Sequence, residues 1–236
     1  MTDLILDYIN AGWAVVPLTR GKNPGFDGWQ QRGSGVTREG RTILHPSWGI
    51  GLMHAYSGTC AFDIDDWAET EKYGIDVAAL YAAPDAVTIL SGRENRGKLL
   101  YRMPHDWMTL PTKQYTIRVP VEGRPGHTKS KTVFELRCSN DEDTTVQDVL
   151  PPTIHPDTGQ PYQWGGAGHW SCLPVIPQQL LDVWAALSKD YRPAQVGGVD
   201  ASWDEVREAL TFIDPDTGRD EWRNVGMALR WAGDHT

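Results

Sequence analysis

Four apolar runs of β type stand in two pairs in the middle of the chain, and no other feature limits its fold as much. "AVTILSG" and "GKLLYRM" flank a turn rich in Gly and Arg, while "YTIRVPV" and "KTVFELRC" flank "EGRPGHTKS". Branched and aromatic residues suit a pleated, half-buried surface, and glycine-rich breaks between such runs allow the chain to reverse. Each pair therefore predicts a hairpin. "WGIGLM" and "CAFDID" predict a further strand pair, and "WAVVPL" a strand that follows a short helix. That helix is marked by Leu4, Ile5, Tyr8 and Ile9 at helical spacing, with Gly12 as its stop. "WAETEKYGIDVAALYAA" predicts a helix ended by Pro84, and "PQQLLDVWAALSKDY" predicts another. Residues 20–47 read as a long irregular connection. "DVLPPTIHPDTGQPYQW" opens on two prolines, which confines it to an edge or a loop. The fold class is α+β.

Residues 1–190 are read as one catalytic domain. The composition of "RPAQVGGVDAS", Gly, Pro and Ala without apolar period, marks 191–201 as a linker. Beyond it, Ser202 with Glu205 three residues on forms a capping box. Residues 202–236 then predict the start of a second, helical module. Two helices bury too little to stand alone, so a longer protein is expected. No apolar run is long enough to span a bilayer, and the acidic "MTDLILDYIN" is unlike a secretory signal. The expected compartment is the cytoplasm, that of the host cell for a phage-encoded protein. Three cysteines without a CxxC pair fit a reducing environment. Cys138, His155, His169 and Cys172 have irregular spacings, so no zinc is expected.

The chain of 236 residues carries a formal charge of −9, yet its middle third is basic. Residues 91–102 hold Arg93, Arg96, Lys98 and Arg102 against Glu94. Residues 113–137 add Lys113, Arg118, Arg124, Lys129, Lys131 and Arg137 against Glu122 and Glu135. Local basic charge in an acidic chain suits a phosphate site better than a surface that coats nucleic acid.

Within "CAFDIDDW", Phe62 and Ile64 fall on one face of a strand, and Asp63 and Asp65 on the other. Two carboxylates about 6–7 Å apart along a strand repel unless a cation lies between them. Mg²⁺ and Mn²⁺ are hard cations that take oxygen ligands and keep some of their water. By itself the pattern also suits a solvent-facing edge. "VFELRC" adds Glu135, a third acid inside an apolar strand, or alternatively one half of a Glu135–Arg137 surface pair. Three acids from neighbouring strands would suit a two-metal site for phosphoryl or nucleotidyl transfer. In "SGRENRGKLLYR", Ser91, Gly92, Arg96 and Lys98 combine a tight turn with phosphate-binding groups. The turn is no P-loop, because Lys98 leads into a strand. His155, between two prolines, is either structural or a phosphate or proton-transfer group. Of the 11 tryptophans, Trp13, Trp184 and Trp222 fall at core positions. Trp29, Trp48 and Trp164 fall in loops, where they are candidates to stack on bases.

In this order, "GWAVVPL", "GKNPGFDGW", "WGIGL", "FDID", "SGRENRGKLLYR", "FELR" and "LPPTIHPDTGQPYQW" resemble the N-terminal primase–polymerase domain of phage and plasmid bifunctional DNA primase/polymerases, in the archaeo-eukaryotic primase superfamily. The likeness covers about residues 1–190, and the tail resembles the helical module that follows it in such replicases. It implies two α/β lobes, the catalytic one a mixed sheet related to the RNA-recognition motif. The family's first acidic motif falls on Asp63 and Asp65, and its third on Glu135, which implies two Mg²⁺ or Mn²⁺ ions there. The family's second motif usually supplies a histidine; here the matching turn has Lys98, with Ser91 and Arg96 nearby. The implied partners are a single-stranded DNA template, nucleoside triphosphates and a helicase domain C-terminal to the chain. The implied activity is de novo primer synthesis and extension. Two alternatives remain open: a metal-dependent nuclease using the same acids, and a non-catalytic origin-binding replication domain.

Overall fold

The computed structural model describes residues 2–36, 45, 47–105, 109–124, 126–140 and 144–188. The linker at 191–201, the helical segment at 202–236 and Trp222 lie outside the described residues.

Helix α1 (Thr2–Asn10) lays Ile5 and Tyr8 into the core and hands over to β1 (Val15–Leu18). β1 pairs antiparallel with β2 (Gly49–Met53), which pairs antiparallel with β8 (Gln147–Leu150). These three strands form a small sheet in the order β1-β2-β8. The second sheet has six strands: β3 (Thr59–Ile64), β4 (Val87–Leu90), β5 (Gly97–Arg102), β6 (Lys113–Pro120), β7 (Thr128–Arg137) and β9 (Gln163–Gly165). Their order is β6-β7-β3-β5-β4-β9.

Both expected hairpins form, as β4–β5 and β6–β7. The expected pair of "WGIGLM" and "CAFDID" does not. A single helical turn, α2 (His54–Ser57), separates β2 from β3 and sends them into different sheets. β2 has all five residues buried, so it needs partners on both edges and finds them in β1 and β8.

The sheet is also not mixed, because every pairing between its strands is antiparallel. β3 and β4 run the same way but do not touch; β5 lies between them and opposes both. The connection from β3 to β4 is α3 (Trp67–Lys72) and α4 (Val77–Ala82). The single helix expected there is broken, since Asp76 starts a new one by accepting the Ala79 N–H at 2.9 Å.

One face of the large sheet offers Ala61, Val87, Ile89 and Leu100 to the small sheet, α1 and Trp13. The other carries Phe62 and Phe134, packed edge to face with ring centres 5.4 Å apart, with Tyr73 beside Phe134. Helix α5 (Gln178–Leu187) packs on β6 and buries Trp184, whose indole N–H donates to the Pro111 carbonyl at 2.8 Å. Trp13 is buried as expected. Trp164 is no loop residue: it lies on β9, stacks with Trp170 and donates to the Tyr8 hydroxyl at 3.0 Å. An indole committed to the core in this way is not offered to a base. Trp29 is half-buried against the same core. Among the described residues, no helix is long and apolar enough to cross a membrane.

Candidate active site

Asp63 stands near the centre of the large sheet. Register sets it opposite Lys98 of β5 on one side and Glu135 of β7 on the other. Opposed residues of an antiparallel pair share a face, with Cβ atoms about 4.5–5.5 Å apart. Glu135, Asp63 and Lys98 therefore form one row across three strands. Lys98 Nζ lies 3.0 Å from Asp63 Oδ2. Arg137, two residues after Glu135 and on the same face, takes the Glu135 carboxylate.

Asp65 follows the last residue of β3, where its N–H donates to the Val133 carbonyl at 2.9 Å. Its carboxylate meets Arg96 at 2.7 Å. Burial, and then the charge of Asp63, pushes the Asp65 carboxyl above the usual range, against the pull of Arg96 and Lys98. The next acid, Asp66, caps α3 by accepting the Glu69 N–H and pairs with Lys131. It belongs to the helix rather than to the site.

The turn between β4 and β5 brings Ser91, Arg93 and Arg96 to the same place. It bends at Gly92 (φ 75°) and at Asn95 (φ 57°), where asparagine tolerates the left-handed region. Gly97 is required for a different reason: a Cβ there would come within 1.9 Å of the Tyr81 hydroxyl.

The small sheet contributes an acid that the pattern reading passed over. Asp148 of β8 is 3% exposed and accepts from His54 Nε2 at 2.9 Å, from Arg137 Nε at 3.0 Å and from Lys98. Burial alone would raise its pKa, but Arg137, Lys98 and His54 outweigh burial and hold the carboxyl far below the usual range. Lys98 is its mirror image: burial disfavours the ammonium, yet Asp148 and Asp63 keep its pKa above the ordinary lysine value. Burial leaves His54 neutral, its Nδ1 bonded to the Thr59 hydroxyl at 2.9 Å. The signal for Asp148 was present in "VQDVL", an acid set among apolar residues like Asp63 and Glu135, but the prolines that follow drew that segment into a loop.

These groups line a cavity of about 260 Å³, close to the lower end for small-ligand sites. Asp63, Asp65, Ser91, Arg96, Lys98 and His155 all face it; Gly92 and Glu135 are not among its lining residues. Lys22, Arg93, Arg137 and Asp148 join the lining without having been singled out from sequence as site residues. Five cations thus meet three carboxylates in a chain that is acidic overall.

Asp63 and Asp65 suit a divalent cation in chemistry: both are hard oxygen donors, both are about one-third exposed, and their mutual repulsion favours positive charge. Glu135 adjoins them in register but turns to Arg137. Among the described residues, no three Asp, Glu, His or Cys side chains are gathered closely enough to hold a metal ion as they stand. Each acid is held by a base instead. A search of curated proteins returned no match. The family profile for the N-terminal domain of bifunctional DNA primase/polymerases matches residues 5–179. That span holds both sheets and every residue of the cavity, and the chain belongs to this primase–polymerase family.

Proposed function

We propose that the chain performs template-directed nucleotidyl transfer, starting and extending primers on single-stranded DNA during phage or plasmid replication. Membership of the family implies a nucleotidyltransferase of primase/polymerase type, with DNA and nucleotides as substrates. The observation that carries the finer reading is the cavity itself, where Asp63 and Asp65 face a group of cations suited to a polyphosphate. Asp63 and Asp65, with Glu135 alongside, would hold Mg²⁺ or Mn²⁺. Such ions, when bound, activate a 3′-hydroxyl and stabilise departing pyrophosphate.

The chain's own groups bind and orient. Arg96 and Lys98 now neutralise Asp65 and Asp63. Once those carboxylates turn to a cation, both bases remain beside the phosphates, with Ser91 as a further hydrogen-bond donor and Gly92 shaping the turn. Asp148 keeps Lys98 and Arg137 in place from behind. We read the two sheets as the two lobes of the archaeo-eukaryotic primase fold, with the larger one as its RNA-recognition-motif-like half. A helicase domain following the chain completes the expected replicase.

The test is a primer-free single-stranded DNA template with labelled nucleoside triphosphates and each metal in turn. New chains together with released pyrophosphate are expected. Strand cleavage without added nucleotide would instead establish a nuclease. DNA binding that needs neither metal nor Asp63 would establish a non-catalytic origin-binding domain.

A further inference from the structure

Lys22 and His155 meet in a way that neither can satisfy alone. The Nδ1 atom of His155 accepts the backbone N–H groups of Asp157 at 3.1 Å and Thr158 at 3.4 Å. A neutral imidazole has one acceptor and one donor nitrogen, so its proton sits on Nε2. Nε2 lies 2.9 Å from Lys22 Nζ. An ammonium has donors only. Two donors therefore confront each other at hydrogen-bonding distance, beside a ring that is 1% exposed.

The surroundings sharpen the conflict. Burial, then Arg93, lowers the proton affinity of Lys22, against Asp157 and Asp63; Lys98 adds to the lowering. Burial, then Lys22 and Arg93, lowers that of His155, again against Asp157. A single anionic oxygen between Nζ and Nε2 would give both donors a common acceptor and relieve the repulsion.

The parts are held firmly enough to form a site. The Lys22 carbonyl accepts from Gln147 Nε2 of β8 at 2.8 Å, and Arg20 and Asn23 close its turn with two reciprocal backbone bonds of 3.0 Å. His155 sits in a turn closed by its own N–H to the Gln160 carbonyl at 2.8 Å and by the Gly159 N–H to its carbonyl at 2.9 Å. Arg93 arrives from the β4–β5 turn and reaches the exposed carboxylate of Asp157. A guanidinium has five donors, so that pairing leaves others for a ligand. Lys22, Arg93 and His155 line the same cavity as Asp63 and Asp65.

We infer that Lys22, His155 and Arg93 form the seat of the terminal phosphate of a nucleoside triphosphate, with one phosphate oxygen bridging Lys22 Nζ and His155 Nε2. This rests on the reading of the cavity as a nucleotide site and adds the groups that tell a triphosphate from shorter phosphates. It also brings a histidine to the phosphates from the "TIHPDTG" segment, where the β4–β5 turn has none.

The test titrates the whole chain with inorganic tripolyphosphate, without metal or template, and follows the ¹⁵N signals of the histidine rings. Binding is expected to move the His155 Nε2 signal. Loss of a charge-assisted bond through Lys22→Gln is expected to weaken tripolyphosphate about tenfold or more, while Lys22→Arg stays within about threefold of the parent. In primer synthesis, Lys22→Gln is expected to raise KM for nucleoside triphosphate about tenfold and change kcat less than about threefold, as for lost binding energy shared by ground and transition states. Arg93→Gln, at a half-exposed position, provides a second variant with the same expected direction. Unchanged tripolyphosphate affinity in both variants, or an unmoved His155 signal, overturns the seat. Tripolyphosphate bound through Lys22 in a chain that makes no primers would keep the seat and refute the polymerase reading. Primer synthesis with tripolyphosphate binding indifferent to Lys22 and Arg93 would do the reverse.

Discussion

Asp63 and Asp148 are the same residue type in the same setting, an acid between apolar neighbours on a short strand, yet they hold opposite positions. Asp63 is about one-third exposed at the side chain and has one lysine contact, while Asp148 is buried and accepts from three bases. A partly solvated carboxylate with one partner can exchange that partner for another cation. A buried carboxylate surrounded by bases cannot, because removing it would leave several charges desolvated at once. The first is built to bind something, and the second to hold the binders in place. Lys98, which touches both, joins the two roles.

The comparison can be tested at each member. The largest effect is expected at the open acids: Asp63→Ala or Asp65→Ala should lower primer synthesis by about a thousandfold or more, the scale of several kcal/mol of lost charge stabilisation. Both should melt like the parent protein, and full activity in either would remove that residue from the site. Asp148→Asn should do the opposite, costing about 3–5 kcal/mol of stability because it leaves Arg137 and Lys98 without their buried partner. Urea unfolding measures this; a loss below about 1 kcal/mol would mean that Asp148 is no anchor. Lys98→Ala should fall between the two, raising KM for nucleotide about tenfold, as for one charged hydrogen bond. An unchanged KM would place Lys98 with Asp148 alone.

The smallest effect is the response to pH. His54 is buried and neutral, with its proton affinity lowered by that burial despite Asp148, so the unfolded chain binds the extra proton first. Stability should begin to fall as pH drops through about 6.5, the unfolded value, by at most about 1.4 kcal/mol per pH unit. Asp148 has the usual carboxylate sign: its depressed pKa stabilises the fold above about pH 4, and that contribution is lost progressively below it. Melting temperature against pH should therefore show two descending limbs, with His54→Gln removing only the upper one. A flat profile between pH 7 and 5 in the parent protein would contradict the assignment for His54.

Much of the local structure was legible in the residues. Ile5 and Tyr8 marked the buried stripe of α1, and the glycine-rich breaks at 91–97 and 121–127 marked both hairpins, because side-chain period and turn chemistry act over a few neighbours. Asp63, Asp65 and Glu135 stood out because a charge inside an apolar strand demands a partner. The partner itself was not legible. Arg137 was read as a surface mate of Glu135, yet it also serves Asp148 from another sheet. Lys22 lay in a stretch read as irregular connection, and only its approach to His155, 133 residues away, gives it a role.

What the linear order determined alone was which segments pair within a hairpin and which positions along each strand face the same way. Those are consequences of chirality, alternation and short loops. Which strands stand side by side, β5 between β3 and β4 or β8 on β2, depended on how all the apolar faces could be buried together. That global packing set Asp148 against Lys98 and Lys22 against His155. Electrostatic partners in a folded chain are chosen by register and burial, and neither can be counted off along a sequence.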